Sequence, residues 1–263
     1  MTREEVRAYL HFYRDLGFDS IFRPLGSLTT PAAPAAVLAS AEPSKPVSPV
    51  SIAAELPVSP LSKSGELPKL EPDGDTLERI LADIGDCHRC RLSEHRHKIV
   101  FGSGSPSAKL VFVGEGPGAD EDEQGIPFVG RAGQLLTQMI DNTAAKEGIP
   151  IRRGDVYICN VVKCRPPENR TPLPDEMQTC GQFLYRQLMA IQPKAICALG
   201  ATAMKALLNT KDGITKSRGQ WFKWRDIPLM VSYHPSYLLR QYNQEAKREA
   251  WADLKAVLHF VYD

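Results

Sequence analysis

The chain is predicted to fold as an α/β protein, a layered sandwich built on a mainly parallel sheet. Three observations carry this prediction. Four short apolar runs, at 109–114, 155–162, 194–199 and 227–232, are each bounded by Gly, Pro or charged residues, as strands are. Between and after them lie segments with apolar residues three and four apart, at 131–147, 174–192, 244–260 and, shorter, 201–208. Strands that alternate with helices favour crossover connections and therefore parallel pairing.

Ahead of this pattern the chain has a different character. Thr2 and Glu5 make a capping box, Val6, Tyr9, Leu10, Tyr13 and Leu16 recur at helical spacing, and Gly17 is a stop signal, so residues 1–23 read as a short amphipathic helix. Such a helix either docks into a partner's groove or folds back on the main domain. Residues 24–72 hold ten of the 21 prolines, no aromatic residue and only seven charges, the composition of a disordered, semi-extended Pro/Ala/Ser-rich linker. Residues 73–263 then form the one compact domain, with 25 basic against 23 acidic side chains.

Composition narrows the function. With 43% apolar and 24% charged residues the chain has material for a core, and no run of 18 apolar residues exists to span a bilayer. The charged N-terminus lacks the apolar stretch of a secretory signal, and a cytoplasmic location is expected. A net charge of +1 means that any nucleic-acid contact comes from a local patch.

The unusual sequences fall just beyond the strands, where ligands bind in open α/β sheets. After the first strand comes GEGPGADED, in which Gly114, Gly116 and Ala119 satisfy a relaxed dinucleotide pattern. Pro117 removes an amide donor, and Asp120, Glu121, Asp122 and Glu123 stand where phosphates would lie, so no nucleotide cofactor is expected. No Walker sequence is present. The loop suits a flat heterocycle, with Phe128 close by in PFVGRAG.

Cys87 and Cys90 in CHRC form half of a metal clip, and Cys164 and Cys180 supply two further thiols from distant segments. Their spacing leaves zinc and an iron-sulfur cluster both open. Cys159 and Cys197 lie inside strand runs and read as core, and His88 as an exposed spacer. The last strand runs into YHPSYLLR, which holds His234 between a strand end and a proline and places apolar bulk at a loop tip.

From residue 76 onward, CHRCRL, GEGPGADEDEQGIPFVGRAGQLL, YICNVVKCRPPENRTPLPDE, ALGATA and HPSYLLR together resemble the uracil-DNA glycosylases that carry an iron-sulfur cluster, family 4 of that superfamily. The resemblance implies a three-layer α/β/α sandwich with a central four-stranded sheet, and a DNA-repair enzyme that flips uracil out of single- or double-stranded DNA and hydrolyses its N-glycosidic bond. It implies that Cys87, Cys90, Cys164 and Cys180 ligate a [4Fe-4S] cluster. It places Glu115 and Gly116 beside the base, Phe128 on its face, Asn160 on O4 and N3, and His234 at O2. It makes Leu238 the wedge that enters the duplex and Glu121 the group that crowds the C5 edge against thymine.

Better-known relatives carry a water-activating aspartate where this chain has Gly116, so Glu115, Glu121 and Asn169 become the candidates to hold the attacking water. The basic insertion of covalently trapping relatives is missing from NVVKCRPPENR, and turnover is expected. Lys163, Arg165, Arg170, Lys216, Arg218 and Arg240 are expected to form a phosphate-binding rim, and the protein to act as a monomer.

Overall fold

In the computed structural model, residues 74–240 and 243–263 are described. The expected N-terminal helix and the linker lie outside them. The described chain begins with α1 (Leu77–Ile84), capped by the Thr76 side chain, which accepts from the Arg79 N–H at 3.3 Å. Next come β1 (Ser103–Gly104), β2 (Leu110–Gly114), the short α2 (Ala119–Gln124) and α3 (Arg131–Lys146). β3 (Tyr157–Asn160) leads to α4 (Pro174–Ile191), which starts on a proline where a missing N–H costs nothing. β4 (Ala195–Leu199) is followed by α5 (Ala201–Leu208) and α6 (Ile214–Ser217). The hairpin β5 (Trp221–Trp224) and β6 (Ile227–Ser232), then α7 (Pro235–Leu238) and α8 (Gln244–Tyr262), complete the domain.

The sheet order is β1-β3-β2-β4-β6-β5. Its four central strands are the four expected ones and pair in parallel. Two antiparallel edges extend the expected four-stranded sheet to six: β1 on β3, and β5 on β6. Neither edge was legible in the sequence. β1 has only two residues, and WFKW in β5 shows no clean alternation of burial.

Side chains of the central strands alternate between two cores, which makes the three layers. Val111, Val113, Cys159, Ile196, Ala198, Leu229 and Val231 face one side with residues of α1, α4 and α5. Leu110, Phe112, Ile158, Cys197, Leu199 and Met230 face the other with residues of α3 and α8. Burial on both faces explains why these strands read as continuous apolar runs. Cys159 and Cys197 are core residues, as expected. Among the described residues, no helix is long and apolar enough to cross a membrane.

The connection from α2 to α3 lies directly against the first turn of α3 because residue 133 has no side chain. A Cβ at Gly133 would overlap the carbonyl carbon and oxygen of Phe128. Phe128 itself adopts φ 54, a left-handed conformation that a bulky residue keeps only where its surroundings hold it. Gly133→Ala is therefore expected to cost about 1–3 kcal/mol, visible as a lowered Tm. An unchanged melt would show that the 128 loop yields freely.

Candidate active site

Every central strand delivers residues to one place. The carboxyl ends of β2, β3, β4 and β6, with their following loops, line a cavity of about 450 Å³ that includes Glu115, Gly116, Phe128, Asn160, Thr202 and His234. This is the expected position for a ligand in an open parallel sheet.

Gly114 and Asn160 are register partners at the ends of β2 and β3. Asn160 is 1% exposed, and its carboxamide oxygen is buried with no hydrogen-bond partner. A Cβ on Gly114 would lie 2.5 Å from that oxygen and 2.6 Å from the Phe128 ring, so only glycine leaves the amide and the phenyl facing a common space. A buried acceptor left unpaired costs about 1–3 kcal/mol, and that cost is recovered when a ligand supplies a donor.

His234 follows β6 as the cap of α7. The Ser236 backbone N–H donates to its Nδ1 at 3.2 Å, and the Ser236 hydroxyl lies 2.8 Å from the same nitrogen. A nitrogen that accepts from an amide carries no proton, so the neutral ring holds its hydrogen on Nε2. Burial pushes the ring's pKa down from 6.5 to about 4, which keeps it neutral near pH 7. Its ring centroid stands 5.5 Å from that of Phe128. Gly200, at φ 90, makes room for it: a Cβ there would come within 3.0 Å of the His234 Cβ.

The acidic groups of the first loop differ in their engagements. Glu115 accepts a hydrogen bond from the Thr202 hydroxyl at the start of α5. Glu121 is held by three backbone N–H groups, from Gly118 at 3.1 Å and from Val129 and Gly130 at 2.9 Å each. Gly116 lies against β3's continuation, where a Cβ would meet Val162 at 2.8 Å. Asn169, at φ 56, lines the cavity and accepts from Arg165 Nε at 2.8 Å.

Several residues assigned from sequence stand elsewhere than expected. Leu238 does not project: it is 1% exposed and packs in the core, whereas its neighbour Tyr237 is 38% exposed. Lys163 is 2% exposed and no part of a rim, its Nζ donating to the Asn160 carbonyl at 2.8 Å and to Gln187 at 2.6 Å. Arg170 makes a two-pronged pair with buried Glu176, at 2.8 and 2.6 Å. Lys216 and Arg218 face Asp212 and Glu249, at 3.5 and 3.0 Å. Arg165 and exposed Arg240 remain on the loops around the cavity. Thr202 and Ser236 were not singled out in the sequence, and Gly114 only as part of the dinucleotide pattern. The serine two residues after the histidine, in HPS, was the one local signal for the ring's tautomer.

Cys87, Cys90, Cys164 and Cys180 line one small second cavity with Ile84 and Phe183. Three donors point at their sulfurs: the Lys163 N–H at Cys180 (3.2 Å), Arg89 at Cys87 (3.3 Å) and Arg96 at Cys164 (3.6 Å). Burial raises the thiol of Cys164 to about 12 and of Cys180 to about 11. His88 is turned outward, toward Asp86. Among the described residues, no three His, Cys, Asp or Glu side chains are placed to hold a single metal ion.

The domain is thus a three-layer α/β/α sandwich that gathers an unpaired amide oxygen, a phenyl ring and a neutral imidazole around a cavity at the carboxyl ends of its strands. The family model described as Uracil DNA glycosylase superfamily matches residues 101–255, and the chain belongs to that family. It is 44% identical over 189 residues to the Type-4 uracil-DNA glycosylase of Thermotoga maritima, covering 71% of this chain and 95% of that protein. It is 40% identical over 191 residues to the Type-4 uracil-DNA glycosylase of Archaeoglobus fulgidus, covering 70% and 92%. A Type-5 uracil-DNA glycosylase of Pyrobaculum aerophilum is more distant, 30% identical over 148 residues, covering 51% and 64%.

The partly buried imidazole links this site to stability. His234 titrates lower when folded than when unfolded, so its contribution is complete above about pH 6.5 and is lost as pH falls toward 4, by up to about 3 kcal/mol. Wild type should therefore lose Tm relative to His234→Gln between those pH values. Parallel melting curves across that window would remove the assignment.

Proposed function

We propose that this cavity receives a uracil rotated out of DNA and that its residues divide the work of excision as follows. The chain is a uracil-DNA glycosylase of DNA repair, an N-glycosyl hydrolase that leaves free uracil and an abasic site. The observation that carries the assignment of the base site is the buried, unpartnered Asn160 oxygen facing the same space as the Phe128 ring. Uracil N3–H satisfies that oxygen, and the amide's NH₂ donates to O4. Cytosine, with an acceptor at N3 and an amine at C4, leaves both unmatched. Phe128 stacks on the base face.

Hydrolysis breaks the bond between C1′ and N1, and the electron pair leaves with the base. The proton on His234 Nε2 is directed at O2, where that charge accumulates. A fixed donor at a developing anion is worth about 3–4 kcal/mol. Water adds to C1′ and gives its proton to an acceptor in the first loop. Glu115 is the acceptor this arrangement favours, because Glu121 is committed to backbone amides and the Asn169 carbonyl to Arg165. Glu121 thereby positions the loop around Phe128.

The four cysteines fit a [4Fe-4S] cluster better than a single ion, since their sulfurs surround one cavity and attract N–H donors in the manner of cluster ligands. When bound, the cluster supplies a cross-link between the 87–90 segment and the segments bearing Cys164 and Cys180, and its binding displaces thiol protons. DNA is the partner, single- or double-stranded.

His234→Ala is expected to lower kcat about 10²–10³-fold with little change in KM. Asn160→Asp should lose preference for uracil over cytosine. Loss of KM and kcat alike in the histidine variant, measured by uracil release from an oligonucleotide, would remove the donor role. Purified protein should carry about four irons per chain and broad visible absorbance, both lost in Cys180→Ala. A colourless wild type that still excises uracil would rule the cluster out.

A further inference from the structure

Leu238 is buried in the core, yet the loop that bears it must meet the DNA, because Ser236 and His234 of the same loop line the base cavity. We propose that Tyr237 is the side chain this loop sets against the DNA base stack beside the flipped nucleotide, with Arg240 as its cationic partner. The inference rests on uracil excision at the cavity described above.

Four features of the loop support it. Tyr237 is 38% exposed, one position beyond Ser236, while its neighbour Leu238 is 1% exposed. Its backbone is fixed on both sides: its N–H donates to the His234 carbonyl at 2.9 Å, and its carbonyl accepts from Asn243 Nδ2 at 2.9 Å. Its ring is braced by Tyr233, 5.2 Å away between centroids. The guanidinium of Arg240 lies 5.7 Å from the ring centroid. The aromatic is thus presented in a held position.

The chemistry of that surface matches a nucleobase. An aromatic face stacks on any base whatever its sequence, and an arginine beside it adds attraction both to the π-system and to the flanking phosphate. Among the described residues, the other exposed aromatics of the large apolar side chains, Trp221 and Phe260, lie on β5 and α8 and pack on each other at 4.6 Å. Tyr237 differs from them in sitting on a cavity-lining loop, against another residue of its own segment. When uracil leaves a duplex, its neighbours lose a stacking face, and a braced phenol ring at the mouth supplies a replacement without Leu238 leaving the core.

The test compares Tyr237→Ala, Tyr237→Phe and Leu238→Ala in the full-length, cluster-loaded protein. Uracil release is measured on one sequence as single strand and as duplex, with 2-aminopurine next to the uracil to report unstacking. Tyr237→Ala should lower kcat/KM on duplex about tenfold or more, with a much smaller loss on single strand, where no vacated stack needs filling, and should change the 2-aminopurine signal. Tyr237→Phe should keep wild-type behaviour. Leu238→Ala should lower Tm but keep the duplex-to-single-strand ratio. A wild-type ratio in Tyr237→Ala, equal loss in the Phe and Ala variants, or a selective duplex loss in Leu238→Ala would each overturn the proposal. A wild type that releases no uracil from either substrate would instead overturn the reading beneath it.

Discussion

The parallel pairing of β2 with β3, in the register that sets Gly114 opposite Asn160, is the constraint on which the site depends. The ladder does not end with the strands. The Val161 N–H donates to the Gly114 carbonyl at 3.0 Å and the Val162 N–H to that of Glu115 at 3.2 Å, so both loops leave the sheet still bonded to each other. One step further, buried Lys163 ties the Asn160 carbonyl to Gln187, while its own N–H points at Cys180. Its carbonyl accepts from Val100 at 2.8 Å, and Cys164 follows. The five residues from Asn160 to Cys164 therefore contain the unpaired amide of the first cavity, a buried lysine and a cysteine of the second cavity. A slip of one residue in this register would turn the amide into one of the apolar cores, since side chains alternate between faces.

The acidic run after β2 shows how one composition serves two purposes. Asp120 and Glu123 are exposed. Glu121 and Asp122 turn inward and act as acceptors for backbone N–H groups. Asp122 takes those of His97 and Lys98, at 3.0 and 3.4 Å, and the His97 ring at 2.7 Å. Through these contacts a short helix anchors the 97–98 strap on one side and the turn before α3 on the other. Glu121 also occupies the Gly118 amide, one that a phosphate at this turn would need, which weighs against a dinucleotide reading of Gly114, Gly116 and Ala119.

How much of this was legible follows from what each signal measures. The four central strands and the helices α3, α4, α5 and α8 were found to within a few residues, because burial on one or both faces leaves a periodic trace. Phe128 and His234 as cavity residues were also legible from their loops, and Asn160 from the resemblance to the family. Burial within the loops was not. Lys163 reads as a surface cation and Leu238 as exposed bulk, since neither a lysine nor a leucine in a loop announces whether a cavity or a core lies beneath it. Arg170 reads as a phosphate ligand until Glu176, six residues on, is seen to turn back from the first turn of α4, where it also accepts from the Leu173 N–H at 2.7 Å. α2 has six residues and α7 four, too few to repeat any period.

A departing base that carries negative charge is poorly served by nearby carboxylates, and this cavity has two. The structure deals with each differently. Glu121 has its charge spread over three backbone dipoles, which act at fixed positions and need no rearrangement during the reaction. Glu115 is drawn toward Thr202 at the start of α5, where the unpaired N–H groups of a helix favour an anion. Against these, the groups proposed to face the base are neutral: a phenyl ring, an amide and an imidazole kept unprotonated by desolvation and by the Ser236 N–H on its Nδ1. A cationic imidazole would attract the anion more strongly, but it would break the Ser236 bond and carry a charge into a buried site. A neutral donor avoids both costs, and its orientation is already set before the base arrives.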